Sequence, residues 1–243
     1  WFWTPELRTL DTATIEGNEW VAKRLPLPQS MRLGYHRIRL YWVQEPQLET
    51  LGEARFIVCP ARAKPVDRRL AGLAISLYGV RSARNWGCGD FTDLTAISDA
   101  FAPAGAAFIA LNPLHAIANR QPYNTSPYLP QSALFRNFIY LDVERVGDPH
   151  IDDEMRREIE ALRASEFVEY ERVARLKLTA LGRIFEQFRA GRGPAHIVQD
   201  QFDAYVNQQG PMLEDYAVYC ALDEEIHRRD ANVWLWTDWP PEY

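Results

Sequence analysis

Hydrophobic and polar positions change rhythm along this chain, first near residue 60 and again near residue 150. Across residues 20–60 the period is two. In GYHRIRLYWV, Tyr35, Arg37, Arg39 and Tyr41 alternate with His36, Ile38, Leu40 and Trp42. A strand produces this pattern because successive side chains of a pleated backbone point to opposite faces. EWVAKRLPL and ARFIVCP share the β-branched and aromatic character, and Pro26, Pro28, Gly34, Pro46 and Gly52 punctuate the runs as turns. The pattern predicts a small antiparallel β-sandwich over residues 1–62, and the polar stretch ARAKPVDRR, residues 61–69, reads as a linker.

Beyond the linker, LAGLAISLYGV is a nearly continuous apolar run, suited to a strand covered on both faces. DFTDLTAISDAFAPAG then places Leu94, Ile97, Ala100 and Phe101 at helical spacing, and AAFIALNPL is a second buried strand. Strand, helix and parallel strand make a βαβ unit within residues 70–150, an α/β architecture. The loops after its two strands emerge together at the carboxyl edge, where α/β barrels and open sheets hold their ligands. Residues 151–243 are mostly helical in period. IDDEMRREIEALRA, VEYERVARLKLTALGRIFEQFRAG, VQDQFDAYVNQQG and PMLEDYAVYCALDEEIHRRD each carry an apolar stripe; Val173, Leu176, Ala180, Ile184 and Phe188 share one face. Four helices in succession complete no barrel, so they are an insertion, or further strands lie beyond Tyr243.

Composition narrows the function classes. With 243 residues, 47% of them hydrophobic, the chain can bury a substantial core. A net charge of −6 lacks the electrostatic footprint of a nucleic-acid binder. Cys59, Cys88 and Cys220 are odd in number and widely spaced, which supports no disulfide framework and makes the cytoplasm the expected compartment. No apolar run reaches the roughly 18 residues of a membrane span, and the five histidines are too scattered for a metal site. The chain starts at Trp1 and stops at WTDWPPEY, which reads as a piece of something longer.

Candidate chemistry gathers in two loops. ARNWGCGDF holds Trp86 to stack on a sugar or ring face, Gly87 and Gly89 to let the backbone approach a ligand, and Asp90 to hydrogen-bond it. The same residues also fit a helix cap at Asp90 or Thr92 and a tryptophan lid over the core. The glycine spacing matches neither a dinucleotide fingerprint nor a phosphate loop. NPLHAIANRQPYNTSPYLPQS sets Asn112 at a strand end with His115 nearby, followed by Tyr123, Ser126 and Tyr128, with Pro122, Pro127 and Pro130 to stiffen the loop. Cutting a glycosidic bond needs two carboxyl groups flanking it. Most acids here, Asp152, Asp153, Glu154, Glu158, Glu160, Asp223, Glu224 and Glu225 among them, read as solvated helix faces. Asp90 and Asp142 alone stand near predicted strand ends, and no convincing acid pair emerges.

SLYGVRSARNWGCGDFTDL, GAAFIALNPLHA, SPYLPQSALFRNFIYLDVE, ARLKLTALGRIFEQF and QGPMLEDYAVYCALDEEI resemble, in this order, the start of the catalytic barrel of the 4-α-glucanotransferases, the amylomaltases or disproportionating enzymes. LGYHRIRL resembles a strand of the β domain that precedes the barrel in longer members. The resemblance implies the N-terminal portion of a (β/α)8 TIM barrel with a helical insertion. It implies a retaining transfer of α-1,4-glucan segments between maltooligosaccharides through a covalent Asp intermediate, with no cofactor. It further implies that Tyr128 stacks on the sugar beside the cleaved bond, that Ser126 belongs to the donor subsites and that Tyr123 adds an aromatic contact. Trp86, Gly87, Gly89 and Asp90 match the first barrel loop, and Asn112 and Pro113 the end of the second strand. The three catalytic carboxylates of the family come from later strands, so this chain is expected to hold none and to need the rest of its parent. A non-catalytic glucan-binding or scaffold module and an amylase-like hydrolase remain alternatives. No nucleic-acid or membrane partner is expected.

Overall fold

A computed structural model describes residues 1–28, 30–44, 47–120, 125–194 and 196–243, which fall into two units, Trp1–Arg68 and Arg69–Tyr243. In the first unit β1 (Thr9–Ile15) and β2 (Asn18–Lys23) form an antiparallel hairpin that ends at the pair Ile15↔Asn18. Its turn residues Glu16 and Gly17 have φ of 51° and 80°. Two successive positive φ values are those of a type I′ turn, whose twist suits the strands it joins. β3 (Gly34–Gln44) and β4 (Gln47–Val58) make a longer hairpin with a register shift between Leu40 and Tyr41. The alternation read from the sequence is physical here: Arg37 and Arg39, two positions apart on one face, reach Glu53 at 2.6 and 2.5 Å. Of the expected β-sandwich the structure contains two separate two-stranded ladders, and no described side chain of this unit is buried.

The second unit opens with β5 (Leu73–Ile75), which leads through helix α1 (Phe91–Phe101) to β6 (Ile109–Leu111). β5 and β6 pair in parallel in the register Leu73↔Ile109, the βαβ arrangement that the apolar pattern predicts. The ladder is shorter than the apolar run that carries it. After Ile75 the chain tightens into a 3-10 turn, Leu77–Gly79, and the side chain of Leu77 enters the core. β7 (His115–Ala116) and β8 (Ser132–Arg136) then form an antiparallel pair in a stretch whose prolines and tyrosines read as loop.

A 3-10 turn (Phe138–Tyr140) and the short helix α2 (Val143–Val146) lead into α3 (Asp153–Ala164), α4 (Tyr170–Arg189), α5 (Gln199–Gln209) and α6 (Pro211–Arg229). These last four are the helices the sequence period predicts. Asp152 caps α3 by accepting the Met155 N–H at 2.8 Å. Gly210, with φ of 58°, ends α5, and Pro211 starts α6 at a position where its missing N–H costs nothing.

One continuous core joins Leu77, Trp86 and Cys88 to Ile139, Tyr140 and Val143, and to Ile159 and Leu162 of α3 and Val173, Ala180 and Ile184 of α4. It lies on the loops that follow the strands, whereas β5 and β6 stay half-buried to exposed. Lys177 sits on the apolar stripe of α4 with 1% of its surface exposed. Its Nζ donates to the carbonyls of Ile139 and Leu141 at 2.5 and 2.7 Å, and burial pushes the ammonium below its usual pKa. The β5–β6 and β7–β8 ladders are separate, so the described residues close no barrel.

Candidate functional site

The loop between β5 and α1 turns its chemistry inward. Trp86 is 4% exposed and its indole N–H donates to Glu144 Oε1 at 2.9 Å. Gly87 has φ of 83°, and a Cβ there would stand 2.8 Å from Cβ of Leu162. A Cβ on Gly89 would stand 2.1 Å from the Leu77 carbonyl oxygen. The close approach that both glycines permit is therefore made to α3 and to the turn after β5. Asp90 is the N-cap of α1: its Oδ1 accepts the N–H groups of Thr92 and Asp93 at 2.9 and 3.1 Å, and Asp93 Oδ2 accepts the Asp90 N–H in return at 3.1 Å. This reciprocal capping box satisfies donors that every helix start leaves open.

Arg84 binds three acids at once, Asp90 at 2.5 Å and Asp93 and Asp142 at 2.8 Å. Burial works against its charge, but the hydrogen bonds to Asp90 and Asp93 and their charges outweigh burial and hold the guanidinium above its usual pKa. Burial likewise disfavours ionised Asp93, and is outweighed by hydrogen bonds from Asn85, Ser82, the Asp90 backbone and Arg84, which hold the carboxyl below its usual range. Arg163 of α3 fixes the loop from outside, donating to the carbonyls of Asn85 and Arg84 at 2.7 and 2.6 Å. Asp90 and Asp142, the two acids near strand ends, thus share one cation.

At the end of β6, Asn112 Oδ1 accepts the Leu77 N–H at 2.8 Å and its Nδ2 donates to the Tyr140 hydroxyl at 3.0 Å. One amide ties both strand-end loops to the 3-10 turn before α2. Burial pushes the Tyr140 hydroxyl up to about 12, so it stays a neutral partner. His115 on β7 keeps a buried Nδ1 without a hydrogen-bond partner among the described residues.

The second loop turns outward. Tyr128 is 73% exposed, on a turn in which Ser126 Oγ accepts the Tyr128 N–H at 3.3 Å and the Ser126 carbonyl accepts the Leu129 N–H at 3.1 Å. Pro127 between them is buried. Tyr123 lies outside the described residues. None of the described hydrogen bonds or ring contacts joins the Ser126 turn to Trp86, Asp90 or Asn112. Among the described residues no group of three His, Cys, Asp or Glu side chains converges as metal ligands do.

A family model described as 4-alpha-glucanotransferase matches residues 75–243. The chain belongs to this family. A 4-alpha-glucanotransferase of Haemophilus influenzae is 28% identical, over 99% of this chain and 36% of the relative. One of Mycobacterium tuberculosis is 32% identical, over 86% of this chain and 30% of the relative. The crystal structure of amylomaltase from Corynebacterium glutamicum matches with a TM-score of 0.63 and 27% identity, over 97% of this chain and 34% of that one. The chain spans about a third of the length of the curated relatives it matches. Its mixed α/β fold is similar to that of the amylomaltase. No helix among the described residues is long and apolar enough to cross a membrane.

One acid of this chain escapes a reading by residue type. Asp223, expected on a solvated helix face, is 5% exposed. Its Oδ2 accepts from Gln131 Nε2 at 2.8 Å and faces Arg120 Nη1 at 3.0 Å. A signal was available: Tyr216, Tyr219, Asp223 and Ile226 share one face of α6, so the acid stands in an otherwise apolar stripe.

Proposed function

We propose that this chain supplies the first βα units and part of the sugar-binding surface of a retaining 4-α-glucanotransferase that moves α-1,4-glucan segments between maltooligosaccharides. The observation that carries the reading is an exposed tyrosine on a proline-stiffened turn, Ser126 to Tyr128, in a chain of this family. A flat ring in that position stacks on the C–H face of a glucose unit, and the buried Pro127 lowers the cost of ordering the turn. Ser126 and Tyr128 touch the sugar, and Tyr123 extends the contact. Asn112, Trp86 and Asp90 hold the loops after β5 and β6 in place. In the proposed architecture residues 70–150 begin a (β/α)8 barrel, residues 151–243 are a helical insertion and residues 1–62 belong to a preceding β-sandwich.

Retention needs a carboxylate nucleophile and a carboxyl acid/base about 5 Å apart. Asp90, Asp93 and Asp142 are all engaged by Arg84, which supports assigning the catalytic carboxylates to parts of the parent outside this chain; the parent is read as a cytoplasmic enzyme that needs no cofactor. The test is the full-length enzyme on maltotriose. Glucose with longer oligosaccharides is the expected product set; release of hydrolysis products alone would make the parent an amylase-like hydrolase, and inactivity would leave a binding module.

A further inference from the structure

We infer that Asp223 is a positioning residue: its single carboxylate clamps both stems of the segment that presents Ser126 and Tyr128, and so sets the geometry of the glucan-contacting turn. The inference rests on the reading of that turn as a sugar contact. Arg120 precedes the segment and Gln131 follows it, and both converge on Asp223 Oδ2. The Gln131 contact is a hydrogen bond, while Arg120 Nη1, with no aligned acceptor, contributes charge. Tyr219, one turn before Asp223 on α6, lines the same hollow as Gln131. The helix itself is seated on β8 by the stacked rings of Phe135 and Tyr216, 4.2 Å apart and 6° from parallel.

Below the clamp the two stems are already joined. Gln131 donates its N–H to the Ala116 carbonyl at 2.9 Å, and Asn119 and Asn137, both buried, exchange amide hydrogen bonds of 3.1 and 2.7 Å. Above it the described turn keeps only its local bonds to Ser126. Among the described hydrogen bonds and ion pairs, those of Asp223 are the nearest tertiary ones on either side of the Ser126–Tyr128 turn. Losing its charge leaves the half-buried Arg120 uncompensated and frees the turn, while the ladder beneath stays paired. A ligand must then select the minority of molecules whose turn is in place, which weakens apparent affinity by that fraction without touching the reacting atoms.

In the full-length enzyme, Asp223→Asn is expected to raise KM for maltotriose about tenfold with kcat within about twofold of wild type. The backbone amides of Tyr128 and Leu129 should exchange faster by a similar factor. Gln131→Ala cuts one stem without stranding a charge, and should shift both readouts the same way even where Asp223→Asn fails to fold. Tyr128→Ala reports on the underlying reading. If it raises KM while Asp223→Asn and Gln131→Ala leave KM and exchange at wild type, the clamp is overturned and the sugar contact stands. A fall in kcat with unchanged KM in the clamp variants overturns it equally. If Tyr128→Ala leaves KM unchanged, the sugar contact falls, and the clamp's role in binding with it.

Discussion

Trp86 and Glu144, 58 residues apart, meet in a hydrogen bond of 2.9 Å from indole N–H to carboxylate. The bond pins the loop after β5 to helix α2 and accounts for the polar edge of a ring that is otherwise packed in the core. The Trp86 ring is 4% exposed, whereas the ring of Tyr128 is 73% exposed.

Trp86→Phe keeps most of the packing and removes the donor. Glu144 is exposed and regains water, so the expected cost is about 1 kcal/mol. Maltooligosaccharide affinity should stay within about twofold, because the ring touches protein. Urea unfolding and a maltoheptaose titration of the same variant check this; a large loss of affinity at unchanged stability would return Trp86 to the ligand.

Gly89→Ala tests what the glycines of that loop are for. The added methyl would meet the Leu77 carbonyl oxygen at 2.1 Å and Val80 Cβ at 2.7 Å, in a backbone that cannot yield without displacing the core turn. A destabilisation of about 3 kcal/mol is expected. Equal urea midpoints for variant and wild type would mean that the loop is loose enough to serve a ligand.

Asp93 makes a prediction about acid. Its carboxyl is held below the ordinary range by hydrogen bonds that outweigh burial. A group depressed on folding contributes stability that is complete above its unfolded pKa of about 3.9, and that contribution is lost as pH falls through the lower folded value. Asp93→Asn should therefore be less stable than wild type near neutral pH, with the gap closing below about pH 4. Midpoints of urea unfolding across that range check the sign; a gap that is constant with pH would assign the acid response to other carboxylates.

The two units should differ in local stability. No described side chain in Trp1–Arg68 is buried, and two-stranded hairpins alone are marginal in water. α4 packs Val173, Ala180 and Ile184 into a continuous core. Hydrogen exchange on the 243-residue chain is expected to show early loss of protection in β1 to β4 and late loss in α4. Equal protection in both units would contradict this.

Much of the candidate site was legible as residue type and much less as role. Asn112 at the end of a strand and an exposed Tyr128 in a proline-rich loop follow from local pattern. Asp90 as a helix cap was one of two local readings, and its geometry selects that one. Asp223 was misread because helix acids are usually solvated, and only its place on the apolar face of α6 argued otherwise. β1 went unread because Thr9, Asp11, Thr12 and Thr14 dilute its apolar alternation.

By itself the sequence determined what depends on near neighbours: the four long helices, the alternating face of β3, and the helix that links β5 to a parallel β6. These patterns repeat every two or 3.6 residues, so a short window contains the whole signal. Tertiary structure alone decided which partners the buried polar groups find. Trp86 finds its acceptor 58 residues away, Lys177 its carbonyls 38 and 36 residues away, and Gln131 its carboxylate 92 residues away. Burying such groups is favourable only when a distant partner arrives with the right geometry, and no local period records that arrival.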